Sequence, residues 1–230
     1  KPLVSIVAIA YNEEKYIEKT LKSLKNQTFK DFEIIVVDNN CTDKTAAIAK
    51  KMGAKVVVEK VQGMTPARET GFGHAAAPII IKLDADSIIK PDWIKIAVKF
   101  FKKEKSAVGL RGSFRLETKS KLKNVFFQKV TQPSYYKLSK LLIGHHILTG
   151  PVYAIRKSAW EKTTVHRNDK LLHEDIDLTY HLSEFGKIHH HPKLWANWST
   201  RRWTEKSLSE ILKDYYVYPK RYFQSILIHH

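Results

Sequence analysis

The N-terminal part of the chain alternates between two hydrophobic periods. Leu3–Ala10 is an unbroken apolar run rich in β-branched residues, and it predicts a strand buried on both faces. Over Glu13–Lys25 the period changes: Tyr16, Ile17, Thr20, Leu21 and Leu24 fall on one helical face. Asn12 is the expected cap of that helix, with Glu13 and Glu14 in its first turn. A second strand is expected over Phe32–Val37, ended by Asp38-Asn39-Asn40. A helix capped by Thr42 or Asp43 then runs to Met52, where Gly53 stops it. Lys55–Glu59 reads as a third strand, Thr65–Ala77 as a helix despite Gly71 and Gly73, and Ile79–Leu83 as a fourth strand ending in Asp84-Ala85-Asp86. Pro91 suits the first turn of a helix reaching Glu104. This alternation predicts an α/β fold: a mostly parallel sheet with helices on both faces.

The pattern then loosens. Ala107–Leu116 reads as a strand. From Thr118 to Trp160 there is no Asp or Glu, against Lys119, Lys121, Lys123, Lys129, Lys137, Lys140, Arg156 and Lys157. Within that stretch Leu122, Val125, Phe126, Phe127 and Val130 recur at helical spacing, and Leu138, Leu141 and Leu142 do so again after Pro133. Gly150–Arg156 predicts a strand, Glu174–Glu184 a helix, and Ser207–Tyr218 a last helix. With no internal repeat, low-complexity segment or linker, one domain over 1–230 is expected, its halves being 1–116 and 117–230.

Charge adds a partner to this picture. Among 230 residues, 40 Lys and Arg against 23 Asp and Glu leave +17, while 43% hydrophobic residues exclude a disordered basic tail. A single cysteine, Cys41, excludes a disulfide framework or a Cys-rich zinc site and is read as inert. No apolar run approaches the roughly 18 residues of a membrane span, and no charged-then-apolar leader opens the chain. The expectation is a cytoplasmic globule with an anionic partner: nucleic acid, a phosphorylated small molecule or a membrane surface.

The candidate chemistry lies at strand ends, where open α/β sheets bind ligands. Asp38 ends the second strand and Asp84 and Asp86 the fourth. Carboxylates at i and i+2 straddling a turn can aim at one hard cation, Mg2+ or Mn2+, leaving positions for phosphate oxygens. The plainer alternative is that Asp86 only caps a turn before Pro91. Glu174 and Asp175 can act as base and orienter, or merely complement a helix N-terminus. The runs His145-His146 and His189–His191 are not read as a zinc site, since adjacent histidines on a strand face opposite ways. His173, beside Glu174, is one candidate for a third ligand to the Asp84/Asp86 metal.

Taken in order, Val4–Glu13, Phe32–Asp43, Ala67-Arg-Glu-Thr-Gly71, Lys82-Leu-Asp-Ala-Asp86, Gly150–Arg156, His173–Leu178 and Arg201-Arg-Trp203 resemble the successive signatures of glycosyltransferase family 2, with its GT-A fold. The resemblance implies an inverting, metal-dependent transfer from a nucleotide-sugar, UDP-sugar favoured, to a hydroxyl acceptor. By it, Ala10, Tyr11 and Glu13 border the nucleotide, Asp38 accepts from a base N–H, and Arg68 meets the nucleotide or diphosphate. Asp84 approaches ribose and metal, Asp86 ligates the metal, Asp175 is the base beside Glu174, and Asp177 is structural. Arg202 and Trp203 belong to the late Arg-Trp motif, as diphosphate clamp and stacking ring. Ser199 stands where the stricter motif has Gln, so the resemblance does not extend to processive polymer synthases.

The acid-free stretch, lysines beside an apolar helical face, suggests an interfacial surface and an acceptor that is lipid-linked or an envelope glycan. The alternative is that its aromatics pack into the core. Two other functions compete. A nucleic-acid-binding protein would explain the charge, but no helix-turn-helix, zinc-finger or RNA-binding signature is present. A nucleotidyltransferase would use paired Asp and metal, but it would carry a Gly-rich basic loop where Tyr11-Asn12-Glu13-Glu14 stands.

Overall fold

A computed structural model describes residues 1–116, 118, 120–164, 166, 172–201 and 208–229. One eight-stranded sheet runs through them, in the order β3-β2-β1-β4-β7-β6-β8-β5. Its strands are β1 (Val4–Ala10), β2 (Phe32–Asp38), β3 (Lys55–Val58), β4 (Ile79–Asp84), β5 (Ile88–Ile89), β6 (Ala107–Leu116), β7 (Val152–Arg156) and β8 (Lys187–Trp198). β3, β2, β1 and β4 are mutually parallel; β7 is antiparallel to both β4 and β6; β8 is parallel to β6 and antiparallel to β5. Every residue of β1 is buried, as its continuous apolar run requires.

Helices cover both faces. Against one face pack α1 (Ile17–Lys25), α2 (Thr45–Lys51) and α4 (Trp93–Lys103); against the other, α3 (Met64–Gly73) and α8 (Glu174–Ser183). α1 has no side-chain cap: Asn12 sits outside it at φ 54°, and the helix starts only after Tyr16. Asn12 instead accepts from the Thr42 N–H at 2.8 Å, joining the two turns at the ends of β1 and β2. Burial compensates, since Ile17, Leu21 and Leu24 are almost fully enclosed. Each such side chain contributes about 1.5–3 kcal/mol, more than the ~1 kcal/mol of a cap. α3 ends at Gly73, short of the expected Ala77. A Cβ on its Gly71 would run into Val7 Cγ1 and stand 2.8 Å from Val37 Cγ2, so glycine there lets the helix lie directly on β1 and β2.

The second half departs further from expectation. α5 (Lys121–Phe126) passes through a wide π turn (Phe127–Thr131) into α6 (Gln132–Ile143), and a short α7 (Lys157–Trp160) follows β7. β8 contains the His189–His191 run and extends to Trp198, across Pro192, which interrupts its apolar alternation. It pairs with β6 through two register shifts; at one of them Gly112 lies against the Leu194 backbone, where any side chain would collide. The last helix, α9 (Leu208–His229), runs well past Tyr218 with Pro219 inside it. Among the described residues no helix is long and apolar enough to cross a membrane.

Candidate active site

Strand alternation decides which side chains reach the carboxyl end of the sheet. In β4, Ile79, Ile81 and Leu83 face α1 and α4, so Lys82 and Asp84 follow Ile80 toward α3 and α8. Lys82 Nζ donates to Asp84 Oδ1 at 2.5 Å and lies 5.6 Å from the ring of Tyr153, its register partner on β7. α8 begins on the same face with Glu174, Asp175 and Asp177 in its first turn, where the helix dipole favours acids. Tyr153 OH donates to Asp175 Oδ1 at 3.1 Å. From the far end of β8 comes Arg201, whose Nε donates to Asp86 Oδ2 at 2.9 Å while Nη2 donates to Glu13 Oε1.

Apart from Tyr153 and Asp177, these groups line one cleft of about 670 Å³. Glu13, Asp84 and Asp86 line it from the first half, and Glu174, Asp175 and Arg201 from the second. Aromatic faces border it as well, among them Tyr11, Phe114 and Trp198.

Burial sets the electrostatics. It pushes Glu13 up to about 7, against the pull of Arg201, and Asp84 up to about 6, against Lys82, with Asp86 adding to the rise. Burial likewise raises Asp175 from its ordinary value, against Lys82. For Glu174 burial works the same way but is outweighed by His173, a backbone amide, Arg68 and Lys82, and its carboxyl is held low. Burial keeps the Tyr153 phenol protonated, so it is a donor to Asp175.

The sequence-predicted residues divide accordingly. Tyr11, Glu13, Asp84, Asp86, Glu174 and Asp175 share the cleft, and His173 lines it too. Ala10 is buried, its carbonyl accepting from Asn39 N–H at 3.0 Å. Asp38, opposite Ala10 in the ladder, accepts from the Cys41 N–H at 2.8 Å and stands outside the cleft lining. Arg68 requires a correction: it is 0% exposed and does not open onto the cleft. Its guanidinium binds Glu69 Oε1 at 2.9 Å and the Glu174 carbonyl at 2.7 Å, bracing α3 against the start of α8. Arg202 and Trp203 lie outside the described residues. Burial pushes the Cys41 thiol up to about 11, in keeping with an unreactive side chain.

Three residues of the site were not singled out from sequence. Lys82 had a visible signal, a charge inside an otherwise apolar strand two residues before Asp84. Arg201 is named from sequence only as part of the Arg201-Arg-Trp203 motif, without a role of its own beside Arg202. Tyr153 had none, since a tyrosine in a strand is ordinary.

The donor set suits a hard divalent cation. Three carboxylates, Glu13, Asp84 and Asp86, crowd one wall, two of them with strongly raised proton affinity. Glu13 Oε2 is buried without a hydrogen-bond partner among the described residues. Asp84 and Asp86 offer oxygen ligands at the turn after β4.

Comparison with known proteins bears on the family and the fold. Residues 5–164 match the family model of glycosyl transferase family 2. A chondroitin synthase of Pasteurella multocida is 28% identical over 85% of this chain and 20% of its own length. S. aureus TarS 1–349, solved in complex with UDP-GlcNAc, superposes with TM-score 0.66 at 19% identity, covering 86% of this chain and 58% of that one. The mannosyltransferase PcManGT from Pyrobaculum calidifontis, solved with GDP-Man and Mn2+, gives 0.68 at 19% identity, with 86% and 57% covered. At such identity these two likenesses bear on the fold alone, which is GT-A. The chain spans a third or less of three of the curated relatives it matches and 57% of a fourth. The family match covers well over half of the chain, and the chain belongs to glycosyl transferase family 2.

Proposed function

We propose that this family 2 chain transfers a sugar from a nucleotide-sugar, UDP-sugar favoured, to a hydroxyl acceptor in a single displacement with inversion. The observation that carries this reading is the convergence of the Asp84/Asp86 pair at the end of β4 and Asp175 at the start of α8 in one cleft. Asp175 is the base: its raised proton affinity brings it closer to the working pH, and the Tyr153 hydroxyl fixes one of its oxygens. Asp84 and Asp86 would hold Mn2+ or Mg2+, which when bound neutralises the leaving diphosphate. Arg201 stands beside them, suited to take up diphosphate charge as the nucleotide leaves. Tyr11 borders the nucleotide at the rim and Glu13 by the carboxylate wall, and Asp38 serves the base from beyond the cleft wall. Arg202 and Trp203 remain candidates for clamping and stacking.

The reading extends to the acceptor and its surroundings. Leu122, Phe126, Leu138 and Leu141 are each more than half exposed on α5 and α6, among lysines and without a carboxylate. Such a face suits an anionic membrane surface, a cytoplasmic-side location and a lipid-linked or envelope-glycan acceptor; nucleic acid is not the expected partner.

Thermal-shift measurements with UDP, GDP, CDP and dTDP, with and without Mn2+, test the donor side. A metal-dependent shift with UDP is expected; no metal-dependent shift with any nucleotide overturns the reading. Sedimentation with anionic and neutral vesicles tests the surface, and equal binding to both removes the membrane from it.

A further inference from the structure

Away from the cleft, two histidines and a carboxylate converge from two segments. His166 Nδ1 lies 2.8 Å from Asp177 Oδ1, and His181 Nε2 lies 3.5 Å from the same oxygen. One ligand atom from each residue falls within 4.8 Å of the others. Asp177 and His181 are four apart on α8 and so share one helical face. His166 reaches them from the chain leading toward α8, and none of the three lines the cleft.

We propose that His166, Asp177 and His181 form a second metal site, for a borderline transition ion of the Zn2+ class. Ligand lengths of about 2.0–2.1 Å in a tetrahedron place donor atoms about 3.3 Å apart, and the two observed separations bracket that figure. The donor set decides the ion. Two imidazole nitrogens and one carboxylate favour zinc, cobalt, nickel or copper, whereas the oxygen-only pair Asp84/Asp86 favours Mg2+ or Mn2+. The Asp177 carboxylate is 3% exposed and the His166 side chain 41%, so the cluster is approached from the His166 side. An ion there ties the segment carrying His166 to α8, two residues beyond Asp175. The site is a clasp that fixes the helix bearing the candidate base, and it takes no part in the displacement. It does not depend on the proposed transfer reaction.

Calorimetry and thermal shift with Zn2+ on the chelator-stripped protein test it, with Co2+ absorption as the spectroscopic readout. The parent should bind Zn2+ at this site, gain roughly 5–10 °C in Tm at a hundredfold excess over Kd, and show the visible bands of four-coordinate Co2+. His166→Ala, at an exposed position that tolerates truncation, should weaken Zn2+ binding by more than roughly 10-fold and abolish both other responses. His181→Gln should do the same. Asp86→Asn should leave all three intact. Zn2+ responses that survive both histidine variants, arising from His189–His191 or His229-His230 instead, overturn the site, as does a parent that shows none.

Discussion

The two halves of the sheet solve different problems. From β1 to β4 the strands are parallel and joined by short helical crossovers, β1 and β4 are almost wholly buried, and the candidate acids Asp38 and Asp84 sit where their strands stop. From β6 onward the pairing is mixed, β8 bends through two register shifts, and the helices leave large apolar side chains in solvent. The first half is a close-packed platform whose geometry tolerates little change. The second half brings single groups, Asp175, Tyr153 and Arg201, onto that platform from separate elements. A core residue of the first half is therefore sensitive through packing, whereas its strand-end acids and the groups of the second half are sensitive through chemistry or surface contact.

The strongest way to sharpen this contrast is Asp175→Asn. Transfer should fall by roughly 10²–10⁴-fold, the range of a general base, while UDP binding by calorimetry is unchanged. Parental turnover in this variant would remove the second half from the chemistry.

Gly71→Ala comes next and touches no reacting group. Its new Cβ meets Val7 and Val37 with no room to move, so destabilisation of about 1–3 kcal/mol is expected in urea unfolding. A midpoint equal to the parent's would mean that the platform is looser than its packing indicates.

Tyr153→Phe removes the hydrogen bond to Asp175 and nothing from the donor site. A loss of about 1–2 kcal/mol of positioning corresponds to a roughly 5–30-fold fall in kcat. The donor KM should hold, and an equal change in both would place Tyr153 in substrate binding.

On the exposed face, Leu122→Ser with Leu141→Ser should change stability by less than about 0.5 kcal/mol per site, both residues being 80% exposed. The pair should still weaken sedimentation with anionic vesicles. A large fall in Tm would show that this face is covered within the folded chain.

The smallest effect concerns pH. Burial lowers both His146 and His190 to about 4, so they stay neutral in the folded protein where the unfolded chain binds protons. Their contribution to stability is present above about pH 6.5 and is lost as pH falls toward 4. His190→Gln should flatten the pH dependence of the urea midpoint in that window, and an unchanged slope would assign it to other groups.

Much of the first half was legible from sequence because its signals are local. A buried parallel strand is a continuous apolar run, and the acids at its end need only the strand's length to be placed. α1 was found by its period although its cap was misassigned: Asn12 was taken by the turn after β2, thirty residues away. Arg68 was misread for a related reason. A helix motif does not disclose which face is covered, and α8 covers this one.

The sequence by itself determined the order of elements from β1 to β4, the family and the strand-end carboxylates, all properties of short windows. Only the tertiary structure decided that Arg201 rather than a buried Arg68 reaches the carboxylate wall, that Tyr153 holds Asp175, and that His166 meets Asp177 and His181. Those contacts join residues far apart in the chain or on separate elements. Their geometry follows from sheet order, register shifts and helix packing, which the periodicity of a single segment does not encode.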